Sequence, residues 1–153
     1  MEQPSYRDAL SYALKVLSRQ PCSKSKLIER LTKKGYTSFD NAKVLKRLEE
    51  LNLINDQTYA EQVTEELLHR RPSGKRRIWY ALRKRKIPAA IAHEVISRIS
   101  EGEETERAYQ IAQLYKNKFK LLPTERRRKR IYDTLVRRGF NYELCREVIE
   151  RIS

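Results

Sequence analysis

The chain has 153 residues, 39% of them hydrophobic, which supplies several small cores but is thin for one large one. With 34 Lys and Arg against 20 Asp and Glu it carries a net charge of +14, which points to a polyanionic partner: nucleic acid, an acidic membrane surface or an acidic protein face. Four Gly, five Pro and 35% charged residues favour helix over sheet, two distant cysteines exclude a disulfide framework, and no apolar run reaches the roughly 20 residues that span a bilayer, so a cytoplasmic, soluble protein is expected.

From the N-terminus, Ala9, Leu10, Ala13, Leu14 and Leu17 repeat at the spacing of an amphipathic helix over Tyr6 to Ser18, and Pro21 ends it. Ser23 is an N-cap for a second helix through Lys34, which Gly35 closes in the left-handed conformation. Thr37, with Asp40 three residues on, starts a third helix to about Leu51. A second group begins where Asn55 or Asp56 caps a helix bearing Tyr59, Val63, Leu67 and Leu68, and Pro72-Ser73-Gly74 breaks it. The next helix places Ile78, Ala81 and Leu82 on one face, and Pro88 suits the first turn of another that ends near Ile99. After an acidic linker, Glu101 to Glu106, three more helices are expected over Thr105 to Lys118, Pro123 to Arg138 and Asn141 to Ile152.

These groups are copies of one unit. Leu27, Leu31, Gly35, Val44, Leu45 and Leu48 recur 51 residues later as Ile78, Leu82, Lys86, Val95, Ile96 and Ile99. After a further 53 residues they recur as Ile131, Leu135, Gly139, Val148, Ile149 and Ile152. A constant spacing held through two helices and the turn between them is the signature of a repeat protein. The expected fold is all-α, an elongated tandem array of three three-helix repeats over residues 1–54, 55–100 and 101–153, whose net charges are +5, +5 and +4.

Repetition also assigns residues that a single helix would leave ambiguous. Ile28, Trp79 and Tyr132 are equivalent and lie about 100° from the main apolar position, so Trp79 reads as the edge of a core rather than a stacking platform. Cys145 aligns with Ala92 and Asn41, a small-residue packing position. His69 and His93 lack acidic or cysteine partners at ligand spacing and are expected on solvated faces.

Little in the chain points to catalysis. Gly74-Lys75 lacks the earlier glycine, the following Ser or Thr and the preceding strand of a phosphate-binding loop. The pairs Glu49-Glu50, Glu65-Glu66 and Glu103-Glu104 project 100° apart on a helix and read as solvated faces, not metal sites. No enzyme activity, cofactor or metal is therefore expected.

The cations carry more. With Ile78 facing the core, Arg76, Tyr80 and Arg83 point outward, Arg77 and Lys84 flank them, and Arg70, Arg71 and Lys75 extend the field in a stretch with no acid from Arg70 to Lys86. Arg126, Lys129, Arg130 and Arg137 fill corresponding positions in the third unit, interrupted by Asp133. Guanidinium groups bind phosphate or carboxylate bidentately, and Tyr80 offers a ring on which a base can stack. Lys33-Lys34, Lys84-Arg85 and Arg137-Arg138 recur at helix C-termini, as do Arg47, Arg98 and Arg151, where cations offset the helix dipole. That explanation fails for Arg76 and Arg126, which sit in first turns.

The whole chain resembles the RecX family of small regulators of the RecA recombinase. The resemblance lies in Leu17-Ser18-Arg19 followed by Pro21 and Ser23, in Leu31 with Gly35, in Ile54-Asn55-Asp56 with Tyr59-Ala60, and in the basic Arg70 to Arg77 segment running into Ile78 and Leu82. Gln20 and Lys26 stand where the family often has Arg and Glu, and Lys86 replaces a turn glycine, which suggests a slightly different turn there. A monomer is expected, and the resemblance implies a curved array of three-helix modules that binds the RecA nucleoprotein filament on single-stranded DNA. It also implies inhibition of filament growth, ATP hydrolysis and strand exchange in recombination, DNA repair and the SOS response. The twelve outward residues above would contact RecA or DNA, with direct single- or double-stranded DNA contact and no membrane. The alternative is a stand-alone helix-turn-helix DNA-binding protein, since the paired helices are suited to a major groove.

Overall fold

The computed structural model describes residues 5–153, and among these nine α-helices and no strand are present. They run α1 (Tyr6–Arg19), α2 (Lys24–Lys33), α3 (Ser38–Glu50), α4 (Asp56–His69), α5 (Lys75–Lys84), α6 (Ala89–Ser97), α7 (Glu101–Lys118), α8 (Thr124–Arg137) and α9 (Tyr142–Ile152). Helices pack on one another within each consecutive triplet, giving three bundles in tandem. Each bundle has its own core, built where the repeated apolar positions fall. Leu27, Ile78 and Ile131 are 0%, 0% and 2% exposed, and Leu31, Leu82 and Leu135 are all fully buried. Burying one such side chain contributes about 1.5–3 kcal/mol, so the helices, too short to be stable alone, are held by these cores. Small residues on the first helices, Ala9 and Ala13, Ala60, Ala108 and Ala112, let the three axes of a bundle approach.

Helix starts follow local chemistry. Ser5, Ser23, Thr37, Asn55, Ser100 and Asn141 each accept a hydrogen bond from the backbone N–H three residues on. Pro88 and Pro123 sit at the N-cap, one position before the first turn in which the sequence placed them. The segment Glu101 to Glu106 is not a linker. It forms the opening turns of α7, because Ser100 and Glu103 make a reciprocal capping box and the acids Glu101, Glu103 and Glu104 complement the positive end of the helix dipole.

The turn after each second helix is the same in all three bundles. Tyr36 donates to the Leu31 carbonyl, Ile87 to Leu82 and Phe140 to Leu135, each N···O 3.2 Å. Gly35 and Gly139 take φ values of 96° and 93° there, and Lys86 takes 60°. The lysine therefore does not alter the turn; it adopts the left-handed conformation in glycine's place. Ile87 and Phe140, just beyond the turn, are fully buried and close their cores.

The bundles join end to end through their second helices. At the first junction Ser23 Oγ donates to the Arg85 carbonyl at 2.5 Å, and Asp56 Oδ1 accepts from the Lys24 backbone N–H at 3.0 Å. At the second, Gly74 N donates to the Arg138 carbonyl at 2.8 Å, Arg76 N to Gly139 O at 3.1 Å, and Glu104 Oε1 accepts from Lys75 N at 2.9 Å. Ser23 and Gly74 are 51 residues apart and Arg85 and Arg138 are 53 apart, so the junction is itself repeated. The C-terminus of α8 meets the N-terminus of α5, and the C-terminus of α5 meets the N-terminus of α2. This satisfies terminal backbone groups that a lone helix leaves unpaired and sets opposite dipole ends together.

Candidate interaction surface

The end-to-end junctions decide what the cationic positions can do. The N–H groups that open α5 are taken by Arg138, Gly139 and Glu104, so an anion at this helix end would meet side chains, not the backbone. Of the twelve predicted residues, Lys75 and Arg77 are half-buried and the other ten are exposed. None of the eleven cations among them lies within ion-pair distance of an acid among the described residues.

Three of the twelve gather closely. Lys75, Arg76 and Tyr80 line a groove with Trp79, His93 and Ile96. The Arg76 guanidinium lies over the ring of Tyr142 in the third bundle, 5.2 Å from its centroid, and its interaction with that tyrosine holds its pKa above the usual arginine value. Arg83 is committed in part to the fold: its Nη1 donates to the Ile87 carbonyl at 2.7 Å and its guanidinium stands 5.9 Å from the Trp79 ring. Trp79 packs at the edge of the middle core and Tyr132 at that of the third, while the Trp79 ring also lines the groove; Ile28 is half-buried but does not join the first core.

The others are placed separately. Lys84 borders a cleft of about 390 Å³ between the first two bundles, together with Lys26, Arg30, Lys33 and Arg85. Lys26, Arg30 and Lys33 were absent from the sequence-derived set; Lys33 and Lys26 are the repeat equivalents of Lys84 and Arg77, a signal that could have found them, while Arg30 aligns with Ala81 and has none. Glu29, the one acid on that cleft, is bound to Lys86 at 2.7 Å. Arg70 shares a shallow depression with Glu65, Glu66 and His69, a surface of mixed sign. The Arg71 carbonyl accepts from Ser73 Oγ, and Arg77 backs onto Gly139. In the third bundle Arg126, Lys129 and Arg137 are exposed, and Arg130 lies 5.1 Å from the centroid of Phe119.

His69 is exposed as expected, but it has an acidic neighbour one turn earlier, with Nε2 2.8 Å from Glu65 Oε1. Among the described residues no three His, Cys, Asp or Glu side chains converge as metal ligands. Both cysteines are free thiols. Cys145 is fully buried and burial pushes its thiol up to about 11; burial also raises Cys22. No described helix is long and apolar enough to cross a membrane.

Three tandem three-helix units, joined end to end, define an all-helical repeat protein. The chain belongs to the RecX family: residues 9–48, 55–96 and 102–149 match the first, second and third three-helix domains of RecX. It is 29% identical over 154 residues to the regulatory protein RecX of Chlorobaculum tepidum, covering 99% of this chain and 92% of the relative. It is 28% identical to that of Prosthecochloris aestuarii, covering 99% and 98%. Its fold superposes on the crystal structure of RecX from Lactobacillus salivarius with a TM-score of 0.84 at 21% identity, over 95% of both chains. The family is thus one of regulatory proteins, and the all-α, three-repeat architecture is shared with a solved member.

Proposed function

We propose that this protein binds the RecA filament on single-stranded DNA as a monomer in the cytoplasm and restrains filament growth, ATP hydrolysis and strand exchange, without catalysis of its own. The observation that carries this reading is the surface of cations left without acidic partners on bundles joined end to end. An array of modules 1–54, 55–100 and 101–153 offers successive contacts to a polymer, and unpaired Lys and Arg meet either acidic protein surface or exposed phosphate. We assign contacts to Lys84 in the middle unit and Arg126, Lys129 and Arg137 in the third, with Arg70, Arg71, Lys75, Arg76, Arg77, Tyr80, Arg83 and Arg130 around them.

A stand-alone duplex reader is the weaker reading. In the α5–α6 pair the helix that would enter a major groove opens with Ala89, Ala90 and Ile91, none of which hydrogen-bonds a base edge. The test adds the purified protein to RecA assembled on single-stranded DNA and follows ATP turnover and filament length. Both should fall, and the combined Lys84→Glu and Lys129→Glu variant should need a higher concentration for the same effect while keeping its helix content. No binding and no change in turnover or length would reject the proposal.

A further inference from the structure

The groove on the middle bundle has a composition unlike the rest of the cationic surface. It encloses about 310 Å³, at the small end of the range for small-molecule sites, and six residues line it: Lys75, Arg76, Trp79, Tyr80, His93 and Ile96. Three are aromatic, two are cations and none is an acid. The Trp79 and His93 rings lie 4.3 Å apart and inclined by 35°, so they present one assembled π surface. That surface is held in place because Trp79 also packs against the core formed by α4, α5 and α6. Tyr80 is 67% exposed, a large ring left uncovered beside it. Arg76 is steered to the groove from the other side by its contact with Tyr142.

We propose that this groove binds one unpaired nucleotide of a single-stranded nucleic acid, with the base against Tyr80 and the Trp79–His93 surface and the phosphate on Lys75 and Arg76. A flat π face and an anion joined by a short spacer match a ring wall beside two cations. A duplex keeps its base faces stacked and cannot present one, whereas a single strand can. An acidic protein segment would use the cations and leave the rings idle. The proposal takes its setting, a protein acting where single-stranded DNA is exposed, from the functional reading above, and its chemistry from the groove alone.

Trp79 is the only tryptophan in the chain, so its emission reports on the groove directly. The full-length protein is titrated, at one salt concentration, with a short oligothymidylate and with an abasic strand of the same length and charge. The base-bearing strand should quench Trp79 and bind about 5- to 150-fold more tightly, the range that one stacked base supplies. Tyr80→Ala should shrink that gap several-fold with helix content unchanged, and Tyr80→Phe should restore it. Equal affinity of the native protein for the two strands would overturn the proposal, as would a gap that survives Tyr80→Ala, or polyglutamate competing as well as the oligothymidylate. Loss of the gap with RecA regulation intact counts against the groove alone; a preserved gap with no effect on RecA counts against the functional reading alone.

Discussion

Gly139 lies so close to the first turn of α5 that a β-carbon on it would stand 2.4 Å from the Arg77 backbone nitrogen. Its φ of 93° adds a second reason for glycine. Gly35 holds the same turn in the first bundle at φ 96° but has nothing within 4 Å of its virtual β-carbon. The two positions therefore separate conformational strain from packing. Gly35→Ala should cost about 1 kcal/mol for the left-handed backbone, and Gly139→Ala about 2–4 kcal/mol, since overpacking adds to it. Urea unfolding followed by circular dichroism measures both; equal costs would mean that the third bundle shifts freely against the second.

Asp56 and Glu104 are 6% and 5% exposed, and each carboxylate receives the first backbone N–H of the second helix in the preceding bundle. A charged acceptor lost from such a site typically costs about 1.5–3 kcal/mol. Asp56→Ala and Glu104→Ala should each fall in that range. Because they act at separate junctions, their effects should add to within about 0.5 kcal/mol. Thermal unfolding of the two single variants and the double variant checks this, and a double variant no worse than either single one would show that the junctions are not independent.

Much of the fold was legible because the repeat averages three noisy helical patterns. The positions Leu27/Ile78/Ile131, Val44/Val95/Val148 and Leu48/Ile99/Ile152 stand out only when aligned, and all are buried. Ile87 and Phe140 escaped notice because they lie past the helix ends, where periodicity stops. Glu101 to Glu106 looked like a linker for lack of apolar residues, although the Ser100 and Glu103 capping box was a local signal of helix. The junctions were beyond sequence reading for a physical reason. Asp56 and Glu104 bond to backbone N–H groups, which have no side-chain signature, and the helices they join are some thirty residues away. The outward direction of Arg76, Tyr80 and Arg83 was readable from the helical wheel. That Arg30 and Lys33 share a cleft with Lys84, and that Tyr142 lies against Arg76, was not, because each group meets only across a junction.

Cysteine reactivity should differ between the two thiols. Cys145 is fully buried with its thiol pushed up to about 11, while Cys22 is half-buried on the cleft between the first two bundles. Iodoacetamide at pH 8 should label Cys22 slowly and Cys145 only after unfolding, as mass spectrometry of the digested protein would report. The raised Cys145 value also implies alkaline sensitivity. Between its ordinary value of 9.0 and about 11 the unfolded chain has lost the proton and the native protein keeps it, so stability falls as pH rises through that window. Cys145→Ala should flatten this part of the profile, and native labelling of Cys145 as fast as Cys22 would contradict the burial.

At the opposite end of the pH scale, Lys86 and Glu29 tie the first bundle to the second at 2.7 Å. The hydrogen bond from Lys86, aided by its charge, holds the Glu29 carboxyl below its ordinary value of 4.5. Around that value the unfolded chain binds more protons than the native one, so the contribution is present above about pH 4.5 and is lost as pH falls through the lower native value. Both groups are exposed, so the effect is modest and screened by salt. Glu29→Gln should lower the urea midpoint at pH 6 and leave it unchanged at pH 3. Lys86 also pays for its left-handed φ of 60°. Lys86→Gly removes that strain together with the ion pair, so at pH 3 the variant should exceed the native protein by about 1 kcal/mol. At pH 6, where the native protein regains its pair, the advantage should narrow. An advantage of Lys86→Gly that is the same at both values would show that the pair contributes nothing to the junction.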